Sequence, residues 1–429
     1  NGPTGIFYPR FSTSSAAAPN APGSLVLTLP VYVCAAGVNC SAANGTLNPN
    51  NPFAAAGQTA LIQGSLADSV TSNRVRSRVY RAAAGIHGTV FGDWDYRLDL
   101  TAMHNDLRRT FNGYVYIQSL LNAVNTGSYN FVNPSANSQT ARNTLMPERN
   151  TDASSDLFQA QASLSKELFQ LPGGPLQLGV GGTVFYEAVD APSANSDING
   201  PTQRYFTINA FGTEGNRTVA AGFFEVNAPI FDPLLVNVSG RYDNYSSGQD
   251  AFSPKVGAKF TPIQQLAIRG TWSKGFRIPS FAEANALPTT GYVSNTSAQF
   301  NDAFLAQYNC SVATFTTCPT YIRSGSYGST TLASPDLQPE KSRSITAGIL
   351  FEPIRNVSFT VDYFNIKKTG AITTLTSGEA LTAYYAGQPI PAGLNVIPDA
   401  PDVNFPGARP RVAFVESQLV NANTLKSEG

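Results

Sequence analysis

The 429-residue chain is poor in charge: 13% of its residues are Asp, Glu, Lys or Arg, about half the share of an ordinary soluble domain. Its 28 basic and 28 acidic residues cancel, which excludes the basic excess that nucleic-acid binding needs. Long apolar runs are also missing. The richest stretch, Val219 to Val238, is interrupted by Glu225, Asn227, Pro229, Asp232, Pro233 and Asn237, so no transmembrane helix is expected. There are two histidines, His87 and His104, and no G-x-S-x-G elbow, H-E-x-x-H pair or phosphate-binding loop. Neither an enzyme nor a cofactor is expected. Sparse charge with 42% hydrophobic residues leaves a large uncharged polar share, unlike a helical bundle or an acidic disordered chain. The chain opens on Asn1 rather than Met, which suggests a mature form or an excerpt.

Cysteine is scarce too. Cys34 and Cys40 lie close together, as do Cys310 and Cys318. Four cysteines permit three pairings, and the spacing favours two small disulfide loops in an oxidising compartment. A metal site would need further ligands at suitable spacing, and both histidines are far from either couple in sequence.

What is abundant is period-two alternation. In 94–104, Trp94, Tyr96, Leu98, Leu100 and Ala102 share one face, opposed by Asp95, Arg97, Asp99 and Thr101. In 356–363, Val357, Phe359, Val361 and Tyr363 oppose Asn356, Ser358, Thr360 and Asp362. Similar segments lie at 75–90, 157–165, 176–187, 215–230, 233–246, 252–262, 265–275, 340–352 and 411–429, giving eleven candidate strands. Many exceed the common strand length of ~5–6 residues. Crossing a bilayer at a ~45° tilt takes ~9–11 residues, which accounts for the length.

The connections alternate between short turns and long loops, the latter at 107–154, 189–214, 276–339 and 368–410, with 247–251 as a short exception. Residues 1–73 form a loop-like lead-in. Short turns at one end and long loops at the other are the plan of an outer-membrane barrel. Phe91, Trp94, Tyr96, Phe169, Phe231 and Phe260 cluster near the short turns, and Tyr242, Tyr245, Trp272, Phe276 and Phe364 lie toward the opposite strand ends. They are expected to form two aromatic girdles. The apolar face meets lipid. Arg97, Asp99, Gln159, Gln161, Arg241, Asp243, Lys255, Lys259 and Arg269 line a wet or plugged lumen.

Residues 252–283 read FSPKVGAKFTPIQQLAIRGTWSKGFRIPSFAE, and LQPEKSRSITAGILFEP, VSFTVDYFNIKKTGAI and NANTLKSEG follow in order. Through Ser253, Pro254, Gly257, Gly275, Phe276, Arg277, Pro279, Ser280, Glu283, Leu337, Pro339, Glu340, Asp362, Tyr363, Phe364, Asn421 and Gly429, residues 74–429 resemble the TonB-dependent outer-membrane receptors. Segment 1–73 carries no motif of that family. The resemblance implies an all-β fold: a transmembrane antiparallel up-and-down β-barrel, partial at about 11 of an expected ~22 strands, with long extracellular loops. It also implies a bacterial outer-membrane location among lipid and lipopolysaccharide. Active import of a ferric siderophore is expected, driven by an inner-membrane complex through a TonB-type periplasmic protein acting on a plug that is not recognisable here. An oligosaccharide cargo and a passive porin are the alternatives. The Gly-Phe-Arg-x-Pro-Ser stretch reads as structural, with Arg277 holding a carboxylate.

Binding is expected in the loops. The candidates are Arg108, Arg109, Tyr114, Tyr116, Tyr129 and Arg142 in the first, Tyr292, Tyr321 and Arg323 in the third, and Tyr384 and Tyr385 in the fourth. Tyrosine offers broad contact with a polar tip, and arginine suits an anionic chelate. The same tyrosines would equally serve to pack the loops on one another.

Overall fold

The computed structural model describes residues 27–62, 69–195, 202–205, 208, 212–323 and 325–429. Among them, eleven long strands form one antiparallel sheet: β1 (Ser72–Val90), β2 (Trp94–Asn112), β3 (Arg149–Leu171), β4 (Gly174–Ala191), β5 (Thr213–Phe231), β6 (Leu234–Tyr245), β7 (Asp250–Ile263), β8 (Leu266–Arg277), β9 (Glu340–Ile354), β10 (Val357–Thr374) and β11 (Val412–Glu428). Each pairs with its sequence neighbours, so the order is up-and-down throughout. β1 and β11 stay unpaired with each other among the described residues, and the barrel is not closed. Every strand expected from alternation is present.

The register identifies the faces. Paired residues share a side of the sheet, and one side carries the rows Ile86–Leu98–Ala162, Ala84–Leu100–Ala160 and Ala82–Ala102–Phe158. Farther round, the same side carries Val238–Val256–Trp272–Ile345. In lipid only apolar side chains are tolerated there, so this is the outer face. The opposite side holds Gly85–Asp99–Gln161, Lys259–Arg269 and Arg241–Ser253, the lumen set expected from sequence. Phe364 falls on the inward side with Asp362, and Tyr245 with Asp243, so neither joins the outer girdle. Tyr245 instead lies with its ring centroid 5.5 Å from the Arg217 guanidinium.

Strands are longer than alternation suggested. β2 continues to Asn112 and β3 begins at Arg149, which shortens the first long loop to 113–148. Arg108 and Arg109 are therefore strand residues. The ladder continues there without a slip, but the outer face turns polar once it leaves the hydrocarbon, and the alternation signal ends before the strand does.

The long loops have structure of their own. The first carries α1 (Ile117–Thr126) and α2 (Gln139–Leu145). The third carries α3 (Phe281–Asn285), α4 (Asp302–Leu305), α5 (Thr320–Arg323) and a hairpin of Thr289–Ser294 with Ser326–Leu332. The fourth carries α6 (Ser377–Ala386) and the strand Leu394–Pro398. The N-terminal half of β11 pairs in parallel with Gly328–Leu332 and antiparallel with Leu394–Pro398, while its C-terminal half pairs with β10. One strand thus joins the loop sheet to the barrel.

Candidate functional site

Beside a small core of Phe111, Ala194, Tyr205 and Ile208, with Tyr114 and Tyr116 packed on it, two larger apolar cores hold the loops. In one, Leu29 and Ala60 from the lead-in meet Leu120, Val124, Tyr129, Phe131, Leu145 and Met146 of the first loop. The other gathers Phe300, Phe304, Tyr308 and Ile322 of the third loop, Leu381 and Tyr385 of the fourth, and Val412 and Val415 of β11. Both expected disulfides are formed, Cys34–Cys40 and Cys310–Cys318. The second pair lies in the larger core.

The structure brings most candidate tyrosines into these cores. Tyr129 packs on Phe131 with ring centroids 4.8 Å apart, and Tyr116 packs on Tyr205 at 5.0 Å. Tyr114 meets Phe111 edge-on, and Tyr292 meets Phe414. The Tyr321 hydroxyl donates to the Ala400 carbonyl at 2.7 Å and accepts from the Arg411 amide. Tyr384 donates to the Pro410 carbonyl, and Tyr385 accepts from the Val412 amide. Burial pushes the Tyr321 phenol up to about 12 and raises those of Tyr308, Tyr384 and Tyr385. These groups stay protonated and bind the backbone. Arg323 donates to the Cys318 carbonyl at 2.7 Å, and Arg142 to the Ser135 carbonyl. Arg109 lies 4.9 Å over the Phe111 ring, while Arg108 forms a two-point pair with Asp152 at 2.6 and 2.9 Å on the outer face.

The Gly-Phe-Arg-x-Pro-Ser stretch builds a polar anchor where the third loop leaves β8. Ser280 caps α3, its hydroxyl accepting from the Glu283 amide while the Glu283 carboxylate accepts from the Ser280 amide, a capping box. Arg277 donates to Glu283 through both terminal nitrogens and, through Nε, to Glu340 at 2.7 Å. Glu340 is 2% exposed and also receives Lys368 Nζ at 2.5 Å and the Ile372 amide at 2.8 Å. Outward-facing Lys274 and Arg343 end the apolar band below this level, so the anchor lies outside the bilayer. The Arg277 hydrogen bond, with help from Lys368, lowers the Glu340 carboxyl to about 2, and Arg277 also lowers Glu283.

The anchor thus ties the loop starting at β8 to the start of β9 and the upper part of β10. Sequence reasoning gave Arg277 a carboxylate to hold, named Glu283 and Glu340 only as motif positions and missed Lys368. It also missed Arg217, which pairs with Glu187, donates to the Pro279 carbonyl at 2.9 Å and lies 4.7 Å over the Phe281 ring. Arg217 carried no local signal, because its partners lie 30 and 62 residues away.

A family model described as TonB dependent receptor-like, beta-barrel matches residues 41–429, starting within the lead-in where no motif was legible. No curated protein matches the sequence. Among solved structures, the siderophore receptor PirA from Acinetobacter baumannii is similar at 14% identity and a TM-score of 0.48, over 82% of this chain and 41% of that one. The hemophore receptor HasR from Serratia marcescens is similar at 14% identity and 0.41, over 82% and 51%, and the RagAB peptide importer at 13% and 0.45, over 83% and 34%. The chain spans about half or less of the length of each of these three. Its match to the family model from residue 41 to residue 429, on a sheet of eleven up-and-down strands, makes it a member of the TonB-dependent receptor family, whose β-barrels reside in the bacterial outer membrane.

Proposed function

We propose that the chain forms the barrel and loop cap of an active-transport receptor whose cargo is a ferric siderophore. Energy reaches it from an inner-membrane complex through a TonB-type periplasmic protein. The observation that carries this reading is the prefolded state of the loops. Two apolar cores, two disulfides and a buried carboxylate anchor fix segments that would otherwise be costly to order. A preorganised loop surface lowers the cost of binding, and an open diffusion pore has no use for one. With most of the candidate tyrosines committed to packing, they support the surface rather than coordinate iron.

An oligosaccharide cargo is favoured by one observation: Arg108 faces outward and pairs with Asp152, while Arg109, Arg142 and Arg323 are engaged by the Phe111 ring and by loop carbonyls, so the arginines of the candidate set serve the fold before they serve an anionic chelate. Titration of the full-length receptor with ferric catecholates, ferric hydroxamates and neutral oligosaccharides separates the two. Saturable binding of a ferric chelate, with energy-dependent uptake of labelled iron by cells, is the expected result. Glycan binding with no affinity for any chelate would overturn it.

A further inference from the structure

On the extracellular side, neighbouring strands of the large sheet stay laddered to within a residue of the shorter partner's end, with one exception. The β7–β8 ladder stops at Lys255–Ser273, although both strands run on. Residues 250–254 continue paired to β6 alone, and residues 274–277 continue paired to β9 alone. The wall therefore has a seam with no hydrogen-bond ladder across it. Pro254 stands at its foot and has no N–H to offer. Alternation puts Ser253 and Gly275 on the lumen side of the seam, and Phe252 and Phe276 on the outside. Both lumen-side residues are small.

The seam lies at a boundary. Val256 and Trp272 form an outward pair just below its foot and belong to the apolar band, while outward Lys274 marks the end of that band. On the lumen side of the foot stands Lys255, exposed and with no carboxylate partner among the described residues. Residues 278–287 roof the seam. They leave β8 after Arg277 and reach β5 across the β6–β7 hairpin on the lumen side. There the Leu287 amide donates to the Gly212 carbonyl at 2.8 Å, and Asn285 donates to the Glu214 carbonyl at 3.4 Å. The Phe281 ring packs where a Cβ on Gly215 would lie 2.5 Å from it.

We propose that the β7–β8 seam holds the head–tail junction of an anionic amphiphile. Its alkyl chain lies outside on Phe252, Val256 and Trp272, and its head enters the lumen beside Lys255. An amphiphile in the outer leaflet keeps its junction where hydrocarbon gives way to headgroups, which is the depth of the seam. Threading the wall elsewhere would break ladder hydrogen bonds, and backbone groups left unpaired beside hydrocarbon are costly. At the seam no ladder has to break. The exposed ammonium group offers the head a charge-assisted hydrogen bond. On the reading of the cargo as a ferric chelate, the inference makes that chelate an acylated one.

The first test needs no iron. The full-length receptor in lipid nanodiscs is photolabelled with an N-dodecanoyl amino acid that carries a diazirine in its anionic head, and the labelled residues are mapped by mass spectrometry. Labelling is expected at the lumen-side residues Ser253, Lys255 and Ser273. Gly275→Leu, which fills the seam from β8, should reduce it at least about tenfold, and Ser253→Leu does the same from β7 should the first variant fail to assemble. Gly257→Leu, on the same lumen face but within the ladder, should leave it unchanged. Labelling confined to outward residues such as Phe252 and Lys274, or undiminished in both seam variants, overturns the proposal.

The second test compares a ferric catecholate with the same chelate bearing a dodecanoyl chain. The unaltered receptor should bind the acylated form at least about tenfold more tightly, and Gly275→Leu should erase that difference while still binding the plain chelate. Equal affinity of the unaltered receptor for the two forms overturns the seam as a path for cargo and leaves the ferric reading intact. Failure to bind either form, with lumen-side labelling retained, would sink the ferric reading while the seam assignment stands.

Discussion

Replacing Glu340 by Gln tests whether the anchor beneath the third loop is held by charge. Glu340 is 2% exposed and accepts from Arg277 at 2.7 Å, Lys368 at 2.5 Å and the Ile372 amide at 2.8 Å. Glutamine keeps the shape and one acceptor oxygen, but it turns an amide group toward two cations. Removing one member of a fully buried ion pair costs ~3–5 kcal/mol. Arg277 keeps Glu283, and the Arg277 and Lys368 side chains are 44% and 36% exposed, so water recovers part of the loss. The expected cost is ~1–2 kcal/mol, or a ~5–30-fold rise in local opening.

Amide hydrogen exchange on the full-length receptor measures this opening directly. Protection at Ile372, Ser280 and Glu283 should fall by that factor while amides of β1–β7 keep theirs. Acid gives an independent check. Because the Glu340 carboxyl titrates at about 2 rather than at its ordinary 4.5, its contribution is complete above 4.5 and fades as pH falls from there toward 2. The parent anchor should loosen across that window, and the Gln variant should keep only the smaller response of Glu283. Unchanged protection at Ile372, or a loss spread evenly over all strands, would refute the reasoning.

Converting both Cys310 and Cys318 to Ala should cost the third loop ~2–3 kcal/mol, read as faster proteolysis within 278–339 without a change in the heat resistance of the barrel. Gly181→Ala should destabilise by ~1–3 kcal/mol, because its Cβ would lie 2.4 Å from the Phe223 ring and 2.6 Å from the Ala162 carbonyl; Gly222→Ala, with open space around it, should be near neutral in the same unfolding assay. Tyr385→Phe strands the buried Val412 amide and should cost ~1–3 kcal/mol, whereas Tyr384→Phe loses only a hydroxyl donated to Pro410 and should cost ~0.5–1.5 kcal/mol, both by exchange in the loop core. Leu100→Lys, in the middle of the lipid band, should cost ~2–4 kcal/mol of barrel stability in a vesicle refolding titration, while Asp106→Asn on the same face of β2 should change little.

The strands were legible because the two faces of a barrel meet opposite solvents. Wherever lipid lies on one side and polar lumen on the other, Trp94 through Ala102 alternate strictly, and their counterparts do so with few breaks, such as the inward Phe185 and Phe223. The loops offered no such contrast. Phe304, Tyr308 and Tyr385 form one core across 81 residues of sequence, and the parallel pairing of Gly328–Leu332 with β11 joins segments more than 80 residues apart. Periodicity is local and cannot report either. The Arg277 motif was readable as a motif, but its meaning lay in Glu340, 63 residues on. The candidate tyrosines lie in loop segments. Whether a phenol faces a ligand or a backbone carbonyl depends on the fold around it, and for Tyr321 and Tyr384 the carbonyl has it.

Arg108 and Arg109 expose the physical limit of reading strand ends from alternation. On β2 the outward residues run Trp94, Tyr96, Leu98, Leu100, Ala102 and then His104, Asp106, Arg108; the inward ones run Asp95, Arg97, Asp99, Thr101 and then Met103, Asn105, Leu107, Arg109 and Phe111. The pleat never slips, since all 19 residues of β1 pair in continuous register with β2. The environment inverts instead. Above Ala102 the outer face meets headgroups and water, so it becomes charged. On the inner side Phe111 is buried beside Tyr114 and Tyr205 of the loop core, so that face gains apolar residues. An apolar stripe that changes sides looks, in sequence, like the end of a strand or a one-residue slip. In a membrane barrel it marks the hydrocarbon boundary. Trp94 to Ala102 covers nine residues, the length a tilted strand needs to cross the bilayer core. The remaining ten residues of β2 are a rigid extension into the extracellular space, with its inward face built to seat the loops.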